Sequence, residues 1–289
     1  MNCTLTRRRL LQGAGLGSLA LALPAWAKGP DPGFQALESN LGGRLGVWAL
    51  DTATGATLGY REEERFAFCS TFKVMLAGAI LHRNEQQPGL LQQRIAYRQG
   101  QLVSYSPVTE RHVATGMTVA QLCAAGLQYS DNTAANLLLG VVGGTAVLTA
   151  FARSLNDPAF RLDRYETALN SALPGDVRDT TTPRAMASSL QHLALGDGLA
   201  APSRAQLQQW LRGNTTGEAR IRAGVPSGWA VGDKTGSGDY GVANDVAVIW
   251  PAARAPWVLA VYTRATARNA QPRSEVIAEA TRLVVKAWS

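Results

Sequence analysis

The sequence predicts an α+β protein in which an antiparallel sheet, built from both ends of the chain, carries an inserted helical region. Two short runs near the start have strand character, Arg44–Leu50 and Thr57–Tyr60. Three runs near the end, Trp229–Thr235, Asp245–Trp250 and Trp257–Thr263, are rich in Val, Ile, Trp and Tyr and are bounded by Gly or Pro. The sequence between the two groups has helical periodicity. This order indicates two structural parts with a cleft where they meet.

The domain organisation follows from this order of elements. Residues 28–62 and 213–289 form the predicted α/β sheet domain, and residues 63–212 form the predicted all-helical domain. Residues 1–27 form a predicted export signal. The chain has 289 residues, enough for one large or two modest domains, and its composition of 46% hydrophobic and 17% charged residues argues against disorder.

The predicted signal consists of a basic, an apolar and a cleavage segment. Thr6–Leu11 is basic, Leu16–Leu23 is apolar but too short to span a bilayer, and Ala25–Ala27 matches an A-x-A cleavage site. Adjacent arginines followed by leucines resemble a twin-arginine export signal. An uncleaved anchor is the alternative. With no other run of 18 apolar residues, we expect a soluble mature protein in the periplasm or medium, without a membrane partner.

The charge of the chain is mild once the signal is removed. The sequence has 28 basic and 21 acidic residues, and the signal holds three arginines and no acid, which leaves +4. Basic and acidic residues are interspersed along the chain, without a lysine-rich arm or an aromatic-basic stripe. We therefore expect no nucleic-acid partner.

The sheet is expected to be flanked by helices from both chain ends. Asp31–Leu41 places Phe34 and Leu37 on one helical stripe, and Asp51–Gly55 forms the turn between the first two strands. Glu275–Trp288 is a closing amphipathic helix.

The central region is predicted to contain several capped helices. Their starts are marked by cap residues, a capping box or an N1 proline. The predicted helices run from the Thr118–Gln121 capping box to about Leu127, from a cap at Asn132 to Gly143, over Thr145–Leu155, from Thr182-Pro183 to about Leu195, and over Ser203–Arg212.

Ser70 and Lys73 stand at the start of a further, almost wholly apolar helix, Val74–Leu81. A spacing of three residues puts both side chains on one helical face. Free backbone N–H groups at a helix N-terminus stabilise negative charge, and a buried lysine with a lowered pKa can take a hydroxyl proton. The alternative is an N-cap serine with a lysine that reaches solvent.

Three other stretches offer polar groups for chemistry. Ser130-Asp131-Asn132 lies between two predicted helices, and Lys234-Thr235-Gly236 lies on a predicted strand. The irregular segment Arg164–Asp179 could close as an Ω-loop through its terminal ion pair, with Glu166 and Asn170 holding a water. The alternatives are turn and capping chemistry, an edge strand with a solubilising lysine, and a surface loop.

Histidines and cysteines carry little of the expected chemistry. Three histidines without a G-x-S-x-G motif give poor support to a Ser-His-Asp triad, so we interpret them as surface or packing residues: His82, His112 and His192. Cys3 leaves with the signal, and Cys69 and Cys123 are expected to be free buried thiols. Metal-ligand motifs are absent from the sequence, and no metal or cofactor is expected.

Together these stretches resemble the class A serine β-lactamases, whose signature is S-x-x-K, S-D-N and K-T-G. All three motifs occur here in that order, at Ser70–Lys73, Ser130–Asn132 and Lys234–Gly236. The loop glutamate Glu166 separates the chain from penicillin-binding proteins, and Lys234–Pro251 resembles the cefotaxime-hydrolysing branch. The resemblance covers the mature chain and implies the α/β-α fold of serine β-lactamases and transpeptidases, a β-lactam substrate and a monomer.

The resemblance also implies a role for each site residue. Ser70 attacks the lactam carbonyl, and Lys73 or, through a water, Glu166 takes its proton. Ser130 protonates the leaving nitrogen. The N–H groups of Ser70 and Ser237 form the oxyanion hole, and Glu166 with Asn170 carries out deacylation. The substrate carboxylate is bound by Lys234, Thr235, Ser237 and Arg220. The substrate amide is bound by Asn132, with further substrate contacts from Tyr105 and Gly236.

The chain departs from many relatives at two positions. Thr167 follows the loop glutamate where many relatives have proline, so the sequence leaves the isomer of the Glu166–Thr167 bond open. Some relatives bridge Cys123 to a cysteine on the Ser70 helix, but the corresponding position here is Ala77. That bridge is therefore not expected.

Two other functions and a substrate range remain as hypotheses. A penicillin-binding DD-peptidase or a non-catalytic β-lactam sensor would bind the same compounds without fast turnover. We expect efficient hydrolysis of cefotaxime and only weak hydrolysis of carbapenems. Ser237 can add a hydrogen bond to a cephalosporin carboxylate or acyl amide, and Gly238 leaves room for an oxyimino group. Asp239 can interact with a cationic aminothiazole. A narrow penicillinase is the alternative.

Overall fold

The structure is a computed structural model that describes Met1 and residues 32–289. The predicted export signal at 1–27 lies, apart from its first residue, outside the described residues. The helices are α1 (Pro32–Leu41), α2 (Lys73–Gln86), α3 (Val119–Gln128), α4 (Asn132–Val142), α5 (Thr145–Ser154), α6 (Pro183–Ala194), α7 (Ala201–Arg212), α8 (Ile221–Gly224) and α9 (Ser274–Trp288). The strands are β1 (Gly43–Asp51), β2 (Thr57–Tyr60), β3 (Phe66–Ala67), β4 (Arg94–Ile95), β5 (Met117–Thr118), β6 (Thr180–Thr181), β7 (Ala230–Gly238), β8 (Val242–Trp250) and β9 (Trp257–Ala265).

The main sheet within residues 32–289 has five antiparallel strands in the order β2-β1-β9-β8-β7. The first strand of the chain pairs with the last, with Val47 opposite Val261. The two ends of the chain therefore build one sheet, which confirms the predicted α+β class. The two-residue strands form separate small ladders, β3 with β6 and β4 with β5.

Both faces of the sheet are covered, so its central strands read as continuous apolar runs. Along β9, Trp257, Leu259 and Val261 face a core formed with α1 and α9, and Val258 and Ala260 face the core of the helical region. This alternation explains why β9 carries no polar face. In the helical region, α2 is the central element, and every residue from Lys73 to Leu81 is buried.

The strands β7 and β8 are longer than the sequence predicts. The expected strands stopped at Thr235 and began at Asp245, whereas β7 continues to Gly238 and β8 begins at Val242. Glycine has low strand propensity, which hid the extension. Gly236 nevertheless pairs with Asn244 in the ladder, and this extension brings β7 alongside the Ser70 turn.

Two helix starts also differ from prediction. Ser70 lies in a 3-10 turn, Cys69–Phe72, and the α-helix begins at Lys73. The cap of α4 is Asp131 and not Asn132, because the Asp131 side chain accepts a hydrogen bond from the N–H of Ala134 at 2.8 Å. The predicted capping box at Thr118 and the N-cap at Thr182 are confirmed.

The helices of residues 32–289 include none that has by itself the length and apolar composition of a membrane span. The bent pair α4 and α5 meets that test only when its two helices are taken together.

Candidate active site

A cleft opens where the Ser70 turn, the α3–α4 loop, the Ω-loop and β7 meet. Its volume is about 360 Å³. Its walls are formed by Ser70, Tyr105, Ser130, Asn132, Asn170, Thr216, Arg220, Thr235, Gly236 and Ser237. The structure thus brings nine of the twelve predicted site residues together in the lining of one cleft. The other three, Lys73, Glu166 and Lys234, lie buried beside it.

Ser70, Lys73 and Glu166 form a compact triangle at the base of the cleft. The Lys73 ammonium donates to Ser70 Oγ at 3.0 Å and lies 3.1 Å from Glu166 Oε1. The Ser70 hydroxyl donates to the same carboxylate oxygen at 3.2 Å. Glu166 thus contacts the Ser70 hydroxyl directly. The hydroxyl therefore has two candidate bases within proton-transfer distance, the Glu166 carboxylate and, once it has lost a proton, the Lys73 amine.

Burial makes the Lys73 ammonium easier to deprotonate than that of an ordinary lysine. Only 2% of its side chain is exposed, and desolvation lowers the pKa of Lys73, although the Glu166 carboxylate opposes this. The ammonium also donates to Asn132 Oδ1 at 2.7 Å and to the Ser130 carbonyl at 2.8 Å. Since Asp131 caps α4, the Asn132 side chain is free to make this contact.

Ser130 lies between two lysines. Lys234 donates to Ser130 Oγ at 3.0 Å, and Lys73 is 3.5 Å from the same oxygen. Burial and the neighbouring Lys73 charge lower the pKa of Lys234 well below its usual range. Because both lysines point N–H groups at Oγ, the Ser130 proton is left to point elsewhere, and the cleft is the open direction. Ser130 itself has φ +59° in the turn that presents it.

Glu166, on the Ω-loop, is held from two sides, by α4 and by another residue of the loop. Asn136 on α4 accepts from the Glu166 N–H and donates to its carbonyl, both at 2.9 Å. Asn170 donates to Glu166 Oε2 at 2.7 Å, and the Glu166–Thr167 bond is cis. The predicted closure of the loop is observed, with Arg164 Nε 2.5 Å from Asp179 Oδ2.

Gly236 lets β7 approach the Ser70 turn closely. A Cβ at position 236 would lie 2.7 Å from the Phe68 carbonyl oxygen and 3.2 Å from the Ser70 nitrogen. A side chain is excluded at that separation, so the motif needs glycine here. The strand consequently runs past the N–H of Ser70, with Ser237 as the next residue.

Arg220 is fixed behind Ser237. Its guanidinium donates to Ser237 Oγ at 2.7 Å, to the Gly236 carbonyl at 2.8 Å and to the Asn244 carbonyl at 2.6 Å. Burial lowers the pKa of Arg220, although an arginine remains charged at physiological pH. Together with Lys234 it gives the β7 side of the cleft a positive charge.

Comparisons with known proteins agree with this geometry. The sequence profile described as "Beta-lactamase enzyme family" matches residues 32–288. The chain is 59% identical to the carbapenem-hydrolyzing β-lactamase KPC of Klebsiella oxytoca over 88% of this chain and 87% of that protein. It is 50% identical to the β-lactamase CTX-M-8 of Citrobacter amalonaticus, over 98% of both chains. A solved β-lactamase from Desulfarculus baarsii superposes with a TM-score of 0.89 at 60% identity, covering 89% of this chain and 96% of that one.

The chain belongs to the beta-lactamase enzyme family. It is a class A β-lactamase of the CTX-M-like kind, as its motifs and these relatives agree. The α/β-α fold expected from the resemblance is confirmed.

Gly238 of this β-lactamase is closely packed against the Ω-loop. A Cβ there would lie 2.6 Å from the Asn170 carbonyl oxygen and 2.7 Å from Cys69 Sγ. The space into which a side chain at 238 would point is therefore filled by the Ω-loop and by Cys69. The Asp239 side chain is about half exposed and 3.4 Å from Arg268, so its charge is already paired on the surface.

Sequence reasoning missed three residues of this β-lactamase site. Asn136 holds Glu166, Asp131 caps α4, and Thr216 lines the cleft with a hydroxyl bonded to that of Thr235. The Asp131 signal was present, since aspartate is a preferred N-cap. Thr216 belongs to no motif, and only the fold brings it to the cleft.

Both cysteines that were expected to be free are free and buried. Cys69 is packed under Gly238, and Cys123 lies on the buried face of α3. Burial raises the pKa of both thiols.

Proposed function

We propose that this enzyme hydrolyses the β-lactam ring of penicillins and cephalosporins through an acyl-enzyme on Ser70, and thereby gives antibiotic resistance. The observation that carries the proposal is the triangle of Ser70, Lys73 and Glu166, with its three edges between 3.0 and 3.2 Å. A serine hydroxyl is a weak nucleophile unless a base accepts its proton, and this triangle supplies two candidates.

In acylation, Ser70 Oγ would attack the lactam carbonyl and open the ring. The N–H groups of Ser70 and Ser237 would stabilise the oxyanion, which the close approach of β7 supports. Lys73 or Glu166 would accept the serine proton. Ser130 would then protonate the lactam nitrogen, and its position between Lys73 and Lys234 supports that transfer.

Substrate binding would use the positive side of the cleft. Lys234, Thr235, Ser237 and Arg220 would hold the carboxylate, and Asn132 would bind the side-chain amide. Tyr105 lies at the mouth with 59% of its surface exposed, where a ring can contact the substrate, and Gly236 leaves its backbone accessible. A fixed cation pair suits an anionic substrate because the charges need no rearrangement on binding.

Deacylation would depend on Glu166. Its carboxylate is held by Lys73 and Asn170, so an oxygen is directed toward Ser70. Acting as a general base, it would remove a proton from the water that hydrolyses the ester. This step separates a β-lactamase from a penicillin-binding DD-peptidase or a sensor.

The assignment of Ser70 is tested by the variant Ser70→Ala. Hydrolysis of a chromogenic cephalosporin by the mature chain should fall to background, a loss of at least about 10³-fold in kcat. Circular dichroism and Tm should match those of the wild type, since one buried hydroxyl is removed without a cavity. A variant that retains wild-type turnover would refute the nucleophile.

The substrate range has two candidates. We propose efficient hydrolysis of cefotaxime, supported by the resemblance of Lys234–Pro251 to the cefotaxime-hydrolysing branch. Carbapenem hydrolysis is the second candidate, because the carbapenem-hydrolyzing β-lactamase KPC is 59% identical and the CTX-M relatives are 50–54% identical. Ser237, hydrogen-bonded to Arg220, is the residue through which either substrate carboxylate would be held.

We further propose that residues 1–27 direct export by the twin-arginine route and that the mature enzyme acts in the periplasm or medium as a monomer. The sequence pattern of the signal supports export, and the resemblance to class A β-lactamases supports the monomer. Arg7→Lys together with Arg8→Lys should leave the full-length precursor inside the cell, and cell fractionation would measure this.

A further inference from the structure

A second cavity lies behind the Ω-loop and shares no lining residue with the catalytic cleft. Its volume is about 250 Å³. One wall is the second half of the loop, including Leu173, Asp176 and Val177. The other wall comes from the ends of β1, β3 and β9.

The sheet wall of this cavity concentrates positive charge. Arg44 on β1 and Arg264 on β9 are directly opposite each other in the ladder. Like charges at directly opposed positions repel, and such pairs destabilise a sheet. Desolvation and the Arg44 charge accordingly lower the pKa of Arg264. Arg65 also lines the cavity, so three guanidinium groups share it.

Both acidic residues of the cavity are already paired, Glu64 with the cavity residue Arg44 and Asp176 with Arg178 outside the cavity. Glu64 forms ion pairs with Arg44 and with Arg61. Asp176 is 2.8 Å from Arg178, whose guanidinium lowers the pKa of Asp176 to about 2.

Two of the three arginines, Arg65 and Arg264, form no ion pair with a carboxylate among residues 32–289. Arg65 donates to the Ala159 carbonyl at 2.7 Å and to Thr180 Oγ1 at 2.9 Å. Within residues 32–289, the Arg264 guanidinium makes neither a hydrogen bond nor an ion pair, although it lines the cavity and is half-buried. A cation kept in this position without a counter-charge costs stability that an anion would restore.

We propose that this cavity binds a small oxyanion of two negative charges, such as inorganic phosphate, with Arg264 and Arg65 as its main partners. The planar N–H fork of a guanidinium matches the oxygen spacing of phosphate. The volume lies below the range of about 300–1,000 Å³ that holds drug-sized ligands, so a small ion suits it. Such an ion would lie between the sheet and the Ω-loop without touching Ser70 or Glu166.

The test is thermal unfolding at pH 7.5 in 0–20 mM sodium phosphate, with ionic strength kept constant by sodium chloride. With a dissociation constant of about 1 mM, the wild-type Tm should rise by about 4 °C. Arg264→Gln should lose this rise, and its Tm without phosphate should exceed that of the wild type because the repulsion with Arg44 is gone. Sodium acetate, a monoanion, should produce a much smaller shift in the wild type.

Three further variants make the result specific. Arg282→Gln, at an exposed surface pair with Glu279, is the matched control and should respond like the wild type. Arg264→Lys keeps the charge and should show a smaller phosphate-induced rise in Tm than the wild type. Arg65→Gln should reduce this rise too. These two variants provide the test if Arg264→Gln does not fold. Phosphate in the catalytic cleft would affect every variant alike. An equal Tm rise in the wild type and Arg264→Gln, or no rise in the wild type, would overturn the proposal.

Discussion

At the scale of single residues, buried cations define the catalytic cleft. Among the described residues, Lys73, Lys234 and Arg220 are all buried beside it, and only Lys73 has a carboxylate within ion-pair distance. The other two are held by hydroxyl and carbonyl oxygens. A buried charge without a counter-charge costs free energy, and a bound substrate carboxylate would lower that cost. The site therefore favours anionic ligands before any specific contact is made.

Two buried carboxyl groups lie behind this positive wall. Asp233 and Asp245 project from the same face of the β7–β8 ladder, and Arg222 pairs with Asp233 at 2.7 Å. Asp245 accepts from the Ile221 N–H, but its Oδ1 has no hydrogen-bond partner within residues 32–289. Burial, and then repulsion from Asp233, hold the pKa of Asp245 well above its usual range.

The variant Asp245→Asn should make stability less dependent on pH. Because the folded pKa of Asp245 is raised, its contribution is fully present below the unfolded pKa of about 3.9 and is lost as pH rises through the folded value. Asparagine has no such loss. Urea unfolding at pH 5 to 8 should show the variant gaining stability relative to the wild type as pH rises.

Asp239→Asn provides the control for this measurement. The Asp239 side chain is about half exposed to solvent, so its removal should leave a stability difference that is nearly flat with pH. A flat difference for Asp245→Asn as well would show that Asp245 does not carry an unfavourable buried charge.

The catalytic-site residues that lie in motifs could be predicted from the sequence, but the residues that hold them in place could not. Ser70, Lys73, Ser130 and Lys234 occur in short patterns that a sequence displays directly. Asn136 contacts Glu166 across 30 positions of chain, and no local pattern predicts such a pair. The direct contact between Ser70 and Glu166 was missed because the path of the Ω-loop depends on tertiary packing.

At the scale of elements, the Ω-loop and β7 act as one unit. The Asp239 N–H donates to the Asn170 carbonyl at 3.0 Å, directly beside the close contact at Gly238. Asn170 in turn holds Glu166. Any displacement of β7 should therefore reach the Glu166 carboxylate.

The variant Gly238→Ala tests this coupling. Its Cβ would overlap the Asn170 carbonyl and Cys69 Sγ, and such overpacking typically costs about 1–3 kcal/mol. We expect a lower Tm and a deacylation rate that falls more than the acylation rate. Pre-steady-state kinetics with benzylpenicillin would measure both rates.

Gly140→Ala is the matched control for the glycine change. Gly140 is exposed on α4, and an added Cβ would meet no atom within 4 Å. Alanine there should leave both rates unchanged and add up to about 1 kcal/mol of stability, because alanine favours helix. Equal rates in Gly238→Ala and the wild type would show that β7 does not position the loop.

Elements with local signals were predicted best. The capped helices α3 and α6 begin where the sequence indicated, because a cap involves residues only three apart. The two-residue strands β3 and β6 were not predicted, since their pairing joins Phe66 to Thr181 across the chain. The extension of β7 was missed because its glycines serve close packing and not strand propensity.

At the scale of the whole molecule, the sheet and the helical region place the cleft between them. Ser70 and Ser130 come from the helical region, and Lys234 to Ser237 come from the sheet edge. The domain limits at 62/63 and 212/213 remain a prediction, and limited proteolysis would test them. The overall architecture was predictable because strand patterns occur only near the two chain ends.

The substrate range is a property of the assembled cleft, and kinetics should decide it. We expect kcat/KM for cefotaxime to lie within about 100-fold of that for benzylpenicillin, and that for imipenem to be much lower. A cefotaxime value about 1,000-fold below benzylpenicillin, equal to about 4 kcal/mol of lost transition-state stabilisation, would exclude the extended-spectrum proposal. An imipenem value close to that of cefotaxime would favour the carbapenem candidate.

The most direct test of the central claim is intact-mass spectrometry of the variant Glu166→Ala mixed with benzylpenicillin. The lactam adds to Ser70 without a leaving group, so the protein should gain the full mass of the antibiotic and keep it for minutes or longer, with the added mass on the Ser70 peptide. The wild type should show the adduct only briefly. A Glu166→Ala variant that turns over at the wild-type rate, or that never gains mass, would contradict an acyl-enzyme on Ser70 that Glu166 hydrolyses.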